Sequence, residues 1–236
     1  MTEPSRPVAL VLGATGVLGS AVSRAFLTRQ FEVIGTGFQH MPQGISGFRF
    51  DATSADGVDH LQKWLESRTE RIDVAVHGIG ANRDAWLMKM SDAEWMNVMQ
   101  SHLKSAYLLS KMLVTRMMKQ RSGHLIFITS WAGLVGRAGQ ANYSAAKAGV
   151  IALAQSIARE YAPRGILANV IVPGVFPSVM TEALNEKQLE ALWEDSAMKG
   201  FADLNEIAEF IVHLASMKKV TGQVFHLDGR IAPVLG

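Results

Sequence analysis

Apolar residues recur along this chain in two rhythms. Short runs at 8–12, 31–36, 73–77, 125–129 and 167–172 carry them without strict polar alternation, the pattern of strands buried on both faces of a parallel sheet. Longer stretches carry them three and four residues apart, which predicts helices at 18–29, 58–67, 91–120, 142–161 and 204–216. Further expectations are a short strand at 48–50, a charged helical piece at 181–194 and a last strand at 223–227. Strand and helix alternate to the end, so the fold class is α/β: a doubly wound parallel sheet with helices on both faces. No repeat, low-complexity segment or linker breaks the pattern. The expectation is a single domain over residues 1–236, with 1–7 as a flexible N-terminus.

Composition narrows the classes. With 236 residues, 48% hydrophobic and 19% charged, the chain can build one sizeable core. The 23 basic and 21 acidic residues leave a net charge of +2, which argues against a general nucleic-acid binder. The absence of cysteine removes disulfides, thiolate metal sites and cysteine nucleophiles. No histidine pair has metal-ligand spacing, so no metal is expected. The first residues lack a signal-peptide core, and no apolar run approaches the roughly 18 residues of a membrane span. A cytoplasmic protein without membrane contact is the expectation.

The first chemical signal follows the first strand: Gly13-Ala14-Thr15-Gly16-Val17-Leu18-Gly19. Glycines at a strand–helix junction let the backbone approach a pyrophosphate at the positive helix N-terminus. A plain connecting turn is the other reading. At the end of the second strand, where an acid usually holds the ribose of a dinucleotide, the chain reads Gly37-Phe38-Gln39-His40. An acid would repel a 2′-phosphate, so its absence favours NADP(H) over NAD(H). Asp51 either accepts from the adenine amino group or caps a helix at 53–57.

The second signal is Ser130, Tyr143 and Lys147. Ser130 ends a buried strand, and Lys147 follows Tyr143 by four residues on one helix face. A phenol of pKa about 10 donates its proton sluggishly, and a neighbouring ammonium lowers that value. The expectation is that Lys147 acidifies Tyr143, which protonates a nascent alkoxide while Ser130 holds the same oxygen.

These residues carry a family resemblance. The segments 83–90, 130–133, 139–149, Pro173-Gly174, 221–223 and Asp228-Gly229 resemble the short-chain dehydrogenase/reductase family, and within it the bacterial 3-oxoacyl-[acyl-carrier-protein] reductases. The resemblance implies a Rossmann-type fold, a catalytic trio of Ser130, Tyr143 and Lys147, and a homotetramer joined mainly by its two long helices. It implies a pyrophosphate cradle of Gly13, Ala14, Thr15, Gly16, Leu18 and Gly19, with Phe38, Asp51 and Ala52 towards the adenosine. Gly78, Gly80, Tyr143, Lys147, Phe176 and Ser178 would meet the nicotinamide side, and 177–200 would form a substrate lid. Arg121 and Arg164 match positions that dock the acidic acyl carrier protein, expected beside the active-site mouth; solvated helix-end arginines are the alternative.

The chain departs from that family at three places. Val17 stands at a usual glycine, His77-Gly78-Ile79-Gly80 replaces Asn-Asn-Ala-Gly, and His102 replaces the asparagine that completes a proton relay. A histidine can relay protons, or simply fill the space. The reading is NADPH-dependent reduction of a 3-oxoacyl thioester, carried by a carrier protein, in fatty-acid or polyketide and pigment-type chain elongation. The alternatives are a carbonyl or alcohol oxidoreductase of free small molecules and a catalytically silent, cofactor-holding partner subunit.

Overall fold

A computed structural model describes residues 6–182, 185–194 and 196–231. The expected flexible N-terminus lies mostly outside the described residues, as do positions 183, 184 and 195 of the expected lid. Seven parallel strands form one sheet in the order β3-β2-β1-β4-β5-β6-β7. The strands are β1 Val8–Leu12, β2 Glu32–Gly37, β3 Ser46–Arg49, β4 Val74–His77, β5 Gly123–Ile128, β6 Ile166–Pro173 and β7 Val224–Leu227. The order reverses between β1 and β4, and a crevice opens at their carboxyl ends, where doubly wound sheets bind ligands.

Every residue of β1, β4 and β5 is buried, as the unbroken apolar runs predict. One face packs through Leu10, Leu12, Leu125 and Phe127 against α2 (Ala55–Glu66), α4 (Ser105–Gln120) and α6 (Ala141–Tyr161). The other packs through Val11, Ile126 and Ile171 against α1 (Val17–Thr28) and α9 (Leu204–Ser216). Phe26 and Ile211 are fully buried there, and burial of each such side chain contributes roughly 1.5–3 kcal/mol.

Local chemistry sets the helix starts. Ser54 caps α2 by accepting from the Gly57 amide, and Ser91 and Glu94 form a reciprocal capping box at α3 (Asp92–Met99). The helix expected over 91–120 runs as α3, one π-helical turn at Gln100–Lys104, then α4. At this turn Ser105 Oγ donates towards the carbonyls of Ser101 (2.6 Å) and His102 (3.2 Å).

Other boundaries also shift. The third strand starts at Ser46 and ends before Phe50, a short α5 (Ala132–Val135) follows Ser130, and the piece at 181–194 is two helices, α7 (Val179–Glu182) and α8 (Glu186–Leu192). An Asn185–Gln188 capping box starts α8. His124 is buried in the sheet: it is 3% exposed in β5, its Nε2 2.8 Å from Asn169 Nδ2 on β6.

Candidate active site

The crevice begins with backbone. Gly13 has φ +91°, a left-handed conformation open to glycine, and a Cβ there would stand 3.0 Å from the Gly78 carbonyl. A Cβ on Gly19 would collide with the Gly13 carbonyl. Gly16 is the N-cap of α1 with no side-chain cap bond, so the first-turn amides keep their donors free for a ligand. Val17 is 43% exposed as the first helical residue, so its side chain does not crowd the turn. Ala14 and Leu18 are buried beneath the turn, and Thr15 is exposed beside it. This cradle fits a dinucleotide pyrophosphate.

Ser130, Tyr143 and Lys147 come together at the end of β5 and the start of α6. Gly133 makes this possible: a Cβ there would sit 2.8 Å from Lys147 Cβ, so α5 lies directly on α6. Ser130 hydrogen-bonds the Tyr143 side chain, and Lys147 Nζ lies 5.6 Å from the centre of the Tyr143 ring. Lys147 is 6% exposed and donates to the Ile128 carbonyl at 3.0 Å.

The electrostatics correct one expectation. Burial pushes the Tyr143 phenol above its usual range; the Ser130 bond pulls it down and Asp84 pushes it further up. Lys147 pays the same penalty from the other side, its ammonium lowered from 10.5 to about 8 by burial. Desolvation is the largest influence, and Tyr143 is held as the neutral phenol.

His102 joins the group from the π-helical turn. Its ring stands edge-on to Tyr143, centroids 5.1 Å apart, and a Cβ on Gly80 would collide with it. Its Nε2 is 3.0 Å from the Ala81 carbonyl, which only accepts; that nitrogen therefore carries the proton, leaving Nδ1 a bare acceptor. Nδ1 is buried with no partner. Burial holds the ring neutral, with Lys147 adding to the effect. His77 lies behind it, Nε2 3.1 Å from Ser105 Oγ, its pKa lowered to about 3 by burial and then by Lys147.

The remaining expected contacts divide. Phe38, 66% exposed just beyond β2, borders the crevice, as do Ala52 and Gly78, whose amide bonds the Leu12 carbonyl at 2.9 Å. Asp51 Oδ1 accepts from the Thr53 amide (2.8 Å) and hydroxyl (2.7 Å), while Ser54 is the cap of α2. Asp51 therefore shapes the turn before the helix. Phe176 and Ser178 follow β6, where the Ser178 amide donates to Thr181 Oγ1 at 2.8 Å.

Arg121 and Arg164 require a correction. Both are exposed and precede β5 and β6, whereas Ser130 follows β5 and Pro173 ends β6. At about 3.3 Å per residue, the six residues of β5 put them about 20 Å from the crevice, at the opposite end of the sheet. They do not flank the mouth of their own subunit. They do adjoin each other, since Gly165 packs against the Arg121 carbonyl.

Asn142 is a positioning residue that the sequence reading left without a role. It is fully buried, its Nδ2 donates to the Arg83 carbonyl at 2.9 Å, and its Oδ1 accepts from the Tyr143 amide at 2.8 Å. Its signal was present in the motif, one residue before the phenol.

With this geometry in place, comparison with known proteins is decisive. A family model described as enoyl-(acyl carrier protein) reductase matches residues 16–229. The chain belongs to the short-chain dehydrogenase/reductase family. It is 36% identical over 233 residues to the 3-oxoacyl-[acyl-carrier-protein] reductase FabG of Vibrio cholerae, covering 94% of this chain and 96% of that one. The same-named protein of Escherichia coli K12 is 35% identical over the same shares. Nodulation protein G of Rhizobium sp. N33 is 34% identical over 99% of this chain and 100% of its own length. Ser130, Tyr143 and Lys147 lie together after β5 and on α6, one strand beyond the reversal between β1 and β4.

Proposed function

We propose that this chain is an NADPH-dependent reductase of 3-oxoacyl thioesters presented by an acyl carrier protein, acting in fatty-acid or polyketide and pigment-type chain elongation in the cytoplasm. The observation that carries the reading is the Tyr143 phenol, bonded to Ser130 and flanked by Lys147, at the mouth of a glycine-lined crevice. The nicotinamide, when bound, would supply hydride to the keto carbon. Tyr143 gives its proton to the oxygen, and Ser130 donates a hydrogen bond to the same oxygen as charge develops. Lys147 returns a proton to the phenol and is itself reprotonated from solvent, with the bare Nδ1 of His102 accepting a hydrogen bond from the water that hands that proton on. The lack of an acid after β2, with Phe38 exposed there, favours the 2′-phosphorylated cofactor.

The residues 177–200 serve as the substrate lid. The subunit assembles as a homotetramer through α4 and α6, where α6 exposes Ala145, Ala148, Ala152 and Ser156. A carrier protein docked on Arg121 and Arg164 would feed the crevice of a neighbouring subunit, which ties docking to assembly.

Parallel assays with NADPH and NADH against an acetoacetyl thioester, a crotonyl thioester and a free ketone test the reading. Reduction of the acetoacetyl thioester with NADPH preferred is expected. Preference for crotonyl thioester would move the chain to enoyl reduction, and preference for the free ketone to small-molecule chemistry. No turnover alone, with stimulation of a second reductase, would make it a silent partner subunit.

A further inference from the structure

The segment after β7 turns back beneath the distal half of the lid. The Ala197 amide donates to the Gly229 carbonyl at 2.9 Å, and Ser196 pairs antiparallel with Arg230. Gly229 has no room for a Cβ, which would lie 2.8 Å from the Met198 amide nitrogen. From this corner the Arg230 guanidinium reaches in three directions. Nη1 donates to Asp228 Oδ2 at 2.6 Å, Nη2 donates to the Leu192 carbonyl at 2.6 Å, and the fork lies 5.6 Å from the Trp131 ring centre. Leu192 ends the lid helix α8, and Trp131 follows Ser130 directly. Trp131 also stands edge-on to His226 of β7, centroids 6.0 Å apart.

The Arg230 and Asp228 side chains are 8% and 6% exposed. A buried ion pair of this kind contributes little net stability over an apolar replacement, but fixes the geometry of what it touches. The surroundings are not arranged for stability either. Arg230 Nε, Trp131 Nε1, Trp193 Nε1 and His226 Nδ1 are all buried without a partner.

We propose that Arg230 is a positioning residue that anchors the distal half of the lid to the loop carrying Ser130, and thereby sets how a long acyl chain is gripped. The gripping half rests on the reductase reading; the anchoring half does not. The holding contacts fall on Leu192, Ser196 and Ala197. Lysine can replace the charge of Arg230 but not its fork, so one of the two contacts is lost.

Arg230→Lys in the full-length protein tests both halves. Hydrogen exchange at the Ala197 amide is expected to accelerate about tenfold, while β5 amides stay unchanged. KM for a long-chain 3-oxoacyl thioester is expected to rise about fivefold with kcat held, and KM for acetoacetyl thioester to stay put. Unchanged Ala197 exchange, or an equal KM rise for both lengths, would overturn the proposal. Should the lysine variant not fold, Asp228→Asn, which keeps one acceptor for Nη1, is expected to give the same split at smaller size, and no split there overturns it. A wild-type protein that reduces neither thioester, with faster Ala197 exchange in the variant, defeats the reductase reading and leaves the anchor standing.

Discussion

At the scale of single residues, the site is a set of polar groups held against their own preference for water. Lys147 shows the cost. Its folded pKa of about 8 lies below its unfolded 10.5, so the unfolded chain binds more protons between those values. Stability therefore rises with pH across that window, and at pH 7 the buried ammonium is fully unfavourable. Lys147→Met is expected to abolish turnover yet raise stability at pH 7 by up to about 3 kcal/mol, a gain that shrinks above pH 8. Denaturant midpoints at pH 7 and pH 10 check it; a destabilised variant at pH 7 would contradict the argument. His102 gives a second prediction. Its unpartnered Nδ1 can accept a hydrogen bond from a water that resupplies Lys147, so His102→Leu is expected to lower kcat about 10–100-fold with cofactor affinity unchanged, and His102→Asn to retain most activity. A fully active leucine variant would make His102 a space filler. Tyr143, Ser130 and Lys147 were legible in sequence because an i, i+4 pair and a strand end have few possible placements. The direction of the phenol shift was not, because it depends on how much water the fold excludes.

At the scale of elements, strand and helix identities followed from the apolar rhythm, and their ends from capping residues such as Ser91 and Asn185. The π-helical turn was illegible. Periodicity over 91–120 is that of one helix, and no residue in it marks the slip at Gln100–Lys104. That turn and Gly80 form one unit, since the imidazole occupies the space of the missing Cβ. Gly80→Ala is expected to displace the ring, with a loss of kcat matching His102→Leu and a stability cost of about 1–3 kcal/mol. The pairing of the two effects is the diagnostic, read by kinetics and urea unfolding on the same preparation. An alanine variant with wild-type kcat would separate the glycine from the histidine.

At the scale of the whole molecule, two buried histidines tie the sheet to pH. His77 and His124 have folded pKa values of about 3 and about 4, below the ordinary 6.5. The unfolded chain takes up the protons, so stability is complete above pH 6.5 and falls as acid is added. By pH 5 each is expected to cost about 2 kcal/mol, seen as a drop in the urea midpoint that His77→Asn partly removes. A midpoint flat from pH 7 to pH 5 would refute this. The exposed arginine pair makes a prediction about assembly. Arg121→Glu is expected to raise KM for a carrier-bound thioester severalfold and leave the coenzyme A thioester unaffected. Ala148→Glu, on the exposed face of α6, is expected to dissociate the tetramer and produce the same selective loss. Loss of both substrates together in Arg121→Glu would remove the docking role.

The amino-acid order alone determined the layered α/β architecture, the glycine turn after β1 and the grouping of Ser130, Tyr143 and Lys147, because each rests on local rules of periodicity, turn chemistry and helical spacing. Only the tertiary structure decided that Arg121 and Arg164 face away from their own crevice, that burial raises the Tyr143 phenol, and that Arg230 lies between Leu192 and Trp131. Those outcomes depend on which ends of which strands lie together and on how far burial shifts a proton, and neither quantity is carried by any short stretch of chain.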